Sequence, residues 1–577
     1  MTDTTVAASG RATFWKRALA VLATILALGP GAAFAQSASE VTPETFQPPL
    51  RNLSGSVVFT GQAGTQAPPG SEQIGITLSG VTLEGGFPQM ADANAALEAR
   101  LTRGRVPVSD LFEATAALEA AYAEAGFVLA RVVLPQQTLR DGGRLRVTVV
   151  DGFVEAVDIT NTPPEIRARI KALTGPLVNR RGVSLSELER QLLLAGDVSG
   201  VALGSALAAG QRPGGTVIAL DPQFRKVTGF VGFDNFAPDD LGAFVLNAGV
   251  ELNSPFKFGE TIYGRLAASP GEILSGDPNY RILAAGAVVP IGPSGFALNL
   301  ELTASDTTLD TDEAPTRSDF DRQSLRAIYP WIRSRQTNLT TQFVLDRSLD
   351  RQKLTTGDIT VFEDRLTVLR AGVNLSHTYA DGGVSEAGVI LSRGIDAFGA
   401  RTAADAAGDT PLSRDGADAV FTKLAGSVSH QRALGERFAL SVTGRFQTSF
   451  GDPLLTSEQF SIAGPGELSA FDGGSLRGDS GWVLRTELSH PTRVELQGLP
   501  MVVSPYLFAG AGAVSIEEPT AVEASHESAR AYGLGVDLIS QTGSRYRSNA
   551  LRIEFGKGER DDGPDDTRFS ISGNFRF

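Results

Sequence analysis

The residues able to do chemistry gather between Phe460 and Leu488, in the stretch FSIAGPGELSAFDGGSLRGDSGWVLRTEL. Gly478-Asp479-Ser480-Gly481 has the form of the nucleophile turn of serine proteases, which needs a histidine and a second acid held in reach. The nearest histidine in sequence is His490, and nothing else marks a triad, so no catalytic residue is assigned. Arg477-Gly478-Asp479 is also an adhesion tripeptide, but such triplets arise by chance, and a loop folded away from solvent could not present it. The chain has no cysteine, and its four histidines (His377, His430, His490, His526) are far apart. Thiolate and zinc sites are thereby disfavoured, and no metal is expected. A pI near 5.0 and a net charge of -14 argue against nucleic acid as a partner. No Gly-x-x-x-x-Gly-Lys phosphate loop occurs, and no cofactor is expected. The chemistry left to this stretch is ion pairing by Asp472, Arg477, Asp479, Arg485 and Glu487.

Those charges need a frame. A Gly/Ser/Asp-rich insertion of this length between alternating segments is more often a functional loop than a connection. The flanks alternate strictly. Phe438, Leu440, Val442 and Phe446 interleave with Ser441, Thr443, Arg445 and Gln447. Leu551, Ile553 and Phe555 interleave with Arg552 and Glu554. At the C-terminus, Phe569, Ile571, Gly573, Phe575 and Phe577 face one side, and Arg568, Ser570, Ser572, Asn574 and Arg576 face the other. One such strand fits any half-buried antiparallel sheet, and a soluble sandwich is the alternative. Sixteen ten-residue candidates with no covering helix, ending on an aromatic pair (Phe575, Phe577), instead predict a transmembrane β-barrel over residues 223–577. Its apolar face would meet lipid and its polar face would line an aqueous lumen. Residues 307–321 and 400–418, rich in Asp, read as outer loops carrying solvated charge.

Upstream the period changes. Arg11, Lys16 and Arg17, the apolar run of residues 18–28 and Ala33-Phe34-Ala35 make a signal peptide over residues 1–35, cleaved before Gln36. Residues 36–70, with several prolines and glycines, read as a linker. Then come two tandem β-α-α-β-β units, residues 71–152 and 153–222. In the first, Ser109 is the expected cap of a helix that buries Leu111, Thr115, Leu118 and Tyr122 and stops at Gly126. Such small sheets serve equally as spacers or as open edges that capture an extended peptide.

These residues resemble a known family. The two small domains, Tyr122 to Phe127, Leu134-Pro135-Gln136-Gln137-Thr138-Leu139, Asp141-Gly142 and Asp151-Gly152 resemble the POTRA region of two-partner secretion transporters, the hemolysin secretion/activation proteins (TpsB) of the outer-membrane assembly-factor superfamily. Asp234-Asn235, Ser457-Glu458-Gln459-Phe460, Gly478-Asp479-Ser480-Gly481, Arg485-x-Glu487-Leu488 and Pro505-Tyr506-Leu507-Phe508 are similar to that family as well. The resemblance implies a mainly β protein in which two α+β POTRA domains in the periplasm precede a sixteen-stranded outer-membrane barrel. It implies that a large exoprotein with an N-terminal secretion domain is captured unfolded and threaded through the barrel without nucleotide hydrolysis. It places residues 451–481 as a loop folded into the lumen.

The match breaks at the loop tip. The family pattern Val-Arg-Gly-Phe/Tyr reads Leu468-Ser469-Ala470-Phe471 here, and the wall pattern Phe-x-Asp-x-Gly reads Phe508-Ala509-Gly510-Ala511-Gly512. The Arg and Asp that the resemblance pairs are thus both absent. Losing both avoids the penalty of stranding one buried charge. Arg477 with Asp472 or Asp479, and lumen-facing Arg485 and Glu487, are the expected substitutes. Three function classes follow: exporter, assembly factor for other barrels, and passive porin. Two POTRA domains favour the exporter. The other expected partners are outer-membrane lipids and, during biogenesis, the barrel assembly machinery, with the chain a monomer.

Overall fold

The computed structural model describes residues 37–48, 57–58, 67–309, 315–496, 498–521, 523–540, 548–561 and 563–577. The signal-peptide reading, residues 1–35, lies outside them.

The first unit runs β1 (Gly75–Glu84), α1 (Ala91–Leu101), β2 (Arg105–Pro107), α2 (Val108–Glu124), β3 (Arg131–Val133) and β4 (Gly143–Val150). Its sheet order is β2-β1-β4-β3, with β1 and β4 parallel. Leu111, Leu118 and Tyr122 of α2 pack with Leu97, Leu145 and Val147 beneath the sheet. Fully buried Tyr122 keeps its hydroxyl satisfied, accepting from the Phe87 N–H and donating to Asn94 Oδ1, both at 3.0 Å. Gly126, at φ 93°, ends α2 in the left-handed region that favours glycine. The expected Ser109 cap is corrected. The helix begins two residues earlier, after Pro107, with no side-chain cap, because fixed proline φ suits the entry.

The second unit has β5 (Phe153–Asp158), α3 (Pro164–Thr174), α4 (Leu185–Gly196), β6 (Val201–Ala209) and β7 (Gly215–Phe224). A reciprocal Ser184/Glu187 capping box opens α4. The unit sits against the periplasmic turns of the barrel. Arg333 forms a largely buried ion pair with Asp197 at 2.7 Å, and Arg190 donates to the carbonyls of Pro330 (2.7 Å) and Ser294 (2.9 Å).

The remainder closes into a barrel of sixteen antiparallel strands. They are β8 (Val227–Asp234), β9 (Val245–Asn253), β10 (Thr261–Ala268), β11 (Tyr280–Ile291), β12 (Phe296–Leu309), β13 (Thr316–Arg333), β14 (Thr337–Leu354), β15 (Ile359–Thr378), β16 (Val384–Gly394), β17 (Thr422–Leu434) and β18 (Phe438–Thr448). The last five are β19 (Ser480–Ser489, resuming as Thr492–Leu496), β20 (Leu499–Ser515), β21 (His526–Ser540), β22 (Asn549–Arg560) and β23 (Asp566–Arg576). The break in β19 falls at Pro491, which has no N–H for the ladder. The seam pairs β23 with β8 from Ser572↔Asp234 to Arg576↔Phe230, and Phe577 and Gly229 exchange backbone hydrogen bonds of 3.0 and 3.2 Å beyond it. Alternation sorts the faces as the sequence predicts: Phe555, Phe569, Phe575 and Phe577 are exposed outward, whereas Glu554 and Ser570 are buried inward. Eighteen to twenty residues in β13, β14 and β15 exceed the roughly ten a spanning strand needs, so these strands project beyond the membrane.

Two expectations are corrected. Part of the residue 36–70 stretch is not a free linker: residues 37–48 lie within the lumen. The Ala38 N–H donates to Ser318 Oγ (3.0 Å), Ser39 Oγ to Asp350 (2.5 Å) and the Phe46 N–H to Glu301 (3.0 Å). Arg322 and Arg326 donate to the Pro43 (2.7 Å) and Glu44 (3.0 Å) carbonyls. Pro43 and Pro48 bar a helix through this stretch, but a turn followed by an irregular strap can satisfy its backbone on the polar side chains of the wall. Likewise residues 400–418 do not merely solvate charge. Arg414 reaches inward from this outer loop and pairs with Asp479 at 2.7 Å.

Candidate functional site

After β18 the chain turns into the barrel at Gly451 and returns as β19 at Ser480. Its stem is the short pairing of Phe460–Ser461 with Arg477–Gly478. Two buried charges hold the base. Asp479 is fully buried; besides Arg414 it accepts from the N–H groups of Glu517 (2.7 Å) and Leu454 (3.0 Å). Glu458 pairs with Arg370 (2.6 Å) and Lys423 (2.8 Å) on the wall. Each carboxylate is multiply hydrogen-bonded, which is what makes a buried charge tolerable.

The tip, Leu468 to Phe471, is buried against β19, β20, β21 and β22. The wall accepts it because it is paved with glycine. A Cβ added at Gly510 would lie 3.1 Å from Leu468 Cδ2, one at Gly556 would lie 3.4 Å from Ala470 Cβ, and one at Gly558 would lie 2.6 Å from the Phe471 ring. Gly512 similarly makes room for Ile462, at 3.2 Å. An aspartate at position 510, which the resemblance leads one to expect, would intrude on the seat of Leu468.

Charge returns at the same place from a different strand. Arg485 on β19 has a fully buried side chain. It pairs with Glu554 of β22 (2.5 Å) and Glu487 (2.8 Å), and donates to Ser469 Oγ (2.7 Å) and the Glu467 carbonyl (3.0 Å). Its guanidinium also stacks 3.8 Å from the Phe508 ring centre. Ser469 Oγ donates to Glu554, and Tyr506 OH donates to the same carboxylate at 2.8 Å. Glu487 then passes the network to Arg552 (2.9 Å) and on to Asp537 (2.8 Å). The loop tip contributes a neutral hydroxyl, and both charges of the lock belong to the wall.

Of the expected substitutes, Arg485 and Glu487 thus meet at the tip. Arg477, Asp472 and Asp479 do not pair with one another. Arg477 binds Glu40 of the lumenal strap, Asp472 binds Arg568 of β23, and Asp479 binds Arg414. Arg568 also donates to the Asn235 carbonyl at 2.6 Å, so it joins the loop to both strands of the seam. Each of the three finds its partner on another element of the fold, which spacing within the loop does not reveal. Sequence reasoning missed Glu554, Arg414, Glu458 and Glu40 as partners. Glu554 carried a signal, being on the lumenal face of an alternating strand, and Glu458 stood within the Ser457-Glu458-Gln459-Phe460 motif.

The model of the haemolysin secretion/activation protein family ShlB/FhaC/HecB matches residues 214–538, and a ShlB-type POTRA domain matches residues 76–152. The hemolysin transporter protein HpmB of Proteus mirabilis is 23% identical over 456 residues, covering 76% of this chain and 74% of its own. The heme/hemopexin transporter protein HuxB of Haemophilus influenzae (strain 86-028NP) is 22% identical, covering 77% of each. Among solved structures, CdiB from Escherichia coli superimposes with a TM-score of 0.69 at 22% identity over 94% of both chains. CdiB from Acinetobacter baumannii gives 0.61 at 16% identity over 100% of both.

Proposed function

Because the chain belongs to the haemolysin secretion/activation protein family ShlB/FhaC/HecB, and is an outer-membrane transporter for secreted proteins with periplasmic N-terminal domains, we propose how it transports. The two small units capture an unfolded exoprotein by its N-terminal secretion domain. The barrel then passes the chain to the surface, with no nucleotide hydrolysed and no metal or cofactor. Release of the strap of residues 37–48 and of the loop up to Asp479, after which β19 begins, opens the lumen. Energy comes from binding on one side and folding of the passenger on the other.

The observation that carries this reading is how the lumen is filled. Strap and loop meet the wall through side chains, glycine seats and isolated hydrogen bonds, with no strand of either added to the barrel sheet among the described residues. Both can leave without unzipping the barrel. An assembly factor for other barrels is the second reading, and the short β8–β23 seam is the observation that favours it. Capture on the 71–222 fragment separates them. An exporter retains one secreted passenger, an assembly factor retains several barrel precursors, and a porin retains neither.

A further inference from the structure

Cross-strand register places two adjacent rows of outward side chains diagonally across half the barrel. One row is Val231, Ala248, Leu266, Leu283, Ala304, Asp321, Leu349, Arg365. The next is Gly229, Val250, Gly264, Ala285, Leu302, Gln323, Arg347, Thr367. Seven strand spacings of about 4.8 Å carry each row about 34 Å around the wall. Strands tilted by about 40° raise it by about 22 Å, close to the full height of the apolar band. The rows begin near the periplasmic end of β8 and finish on the extracellular half of β15. Between them lies an open trough of about 1120 Å³.

The upper end of the trough lies at a sharp boundary. One row below Arg347 the outward residues are Leu300, Leu325, Leu345 and Leu369. One row above Arg365 they are Arg281, Asp306, Asp319, Arg351 and Glu363. Arg347, Asp321 and Arg365 are therefore the first charges above the lipid belt. Arg393, exposed on β16 directly opposite Leu369, extends the same rim. These cations outnumber their counter-ions. Arg365 shares Glu363 with Arg351, at 2.7 Å each. Arg347 and Arg393 have no carboxylate partner among the described residues, and Arg393 touches Thr422 Oγ1. On the neighbouring strands Arg281 pairs with Asp306 (2.7 Å) and Arg317 with Asp319 (3.0 Å), and Asp321 is the one acid within the two rows.

We propose that this trough is a binding site for a phosphorylated glycolipid of the outer leaflet, of lipid A chemistry. Its phosphates rest against Arg347, Arg365 and Arg393, and one acyl chain lies along Leu302, Ala285 and Leu283. Arginine suits the head because its planar fork matches a phosphate in two hydrogen bonds. The small side chains of Ala285 and Ala304 set the floor of the trough below the flanking leucines. A bound lipid would brace β12 to β16, of which β12, β13 and β14 hold the lumenal strap on their inner faces through Glu301, Ser318, Arg326 and Asp350.

The test titrates bis-phosphorylated lipid A into purified full-length protein in non-ionic detergent and counts bound lipid by native mass spectrometry. One lipid should be retained at least about tenfold more tightly than its dephosphorylated form. The Arg347→Gln/Arg365→Gln/Arg393→Gln variant should lose that preference, the corresponding triple Lys variant should keep most of it, and Asp321→Asn should strengthen it. The triple Lys variant also separates loss of charge from loss of fold. Equal retention of the two lipids, or a phosphate preference unchanged in the Gln variant, would overturn the assignment.

Discussion

Arg485→Met is the most informative single substitution. It removes two hydrogen bonds from the wall to the loop, those to Ser469 Oγ and to the Glu467 carbonyl. Charge-assisted bonds contribute at least about 1.5 kcal/mol each, so the docked loop should lose about 3 kcal/mol. That shifts a docked-to-released equilibrium by a factor of about 150. Truncation also strands Glu554, left with Ser469 and Tyr506 as hydrogen-bond donors, which adds local destabilisation. Planar-bilayer conductance reads the released state directly, and it is preferable to a melting temperature because barrels unfold irreversibly. The single variant should open on the order of a hundredfold more often. Arg485→Met/Glu554→Gln should open less than that, because removing both charges leaves neither stranded. If the double variant equals the sum of its singles, the buried pair does not hold the loop and the reasoning fails.

Other consequences follow from the same contacts. Restoring the family residues, Ser469→Arg/Gly510→Asp, should impair docking and secretion here, since a Cβ at 510 already meets Leu468 and a second cation would face Arg485; unchanged conductance and secretion would count against the glycine seat. Arg414→Ala leaves Asp479 buried without its cation and should cost about 3 kcal/mol or more at the extracellular base of the loop, read as faster proteolysis of residues 400–418 in outer-membrane vesicles. Arg333→Ala strands Asp197 in the same way and should loosen the second periplasmic unit from the barrel, read as faster hydrogen exchange in α4 without loss of barrel conductance.

The barrel and the two α+β units were legible because each rests on a local period, whereas the loop stood out by composition and its place in the lumen came only with the resemblance. Alternation of two assigns faces to Leu551, Arg552, Ile553 and Glu554 whatever lies around them. Partner identity was not legible in the same way. Arg485 and Glu554 are separated by about seventy residues of chain and meet only because β19, β20, β21 and β22 pair in one register. The strap was misread for a related reason. Its composition excludes a helix, but composition does not say that Arg322 and Arg326 wait on β13 to bind its carbonyls. Ser109 was misplaced as a cap because proline alone sufficed at the entry, whereas the Ser184-x-x-Glu187 box was readable and overlooked.

The central claim is that export requires the loop tip to leave its glycine seat. A chain without cysteine allows this to be tested with one engineered bond. The Cβ positions of Ala470 and Gly556 lie 3.4 Å apart, close to the roughly 3.8 Å of a disulfide. In cells expressing Ala470→Cys/Gly556→Cys with the cognate exoprotein, oxidation should stop the exoprotein reaching the medium, and reductant should restore it. Secretion at the wild-type rate through a fully cross-linked transporter would contradict the account.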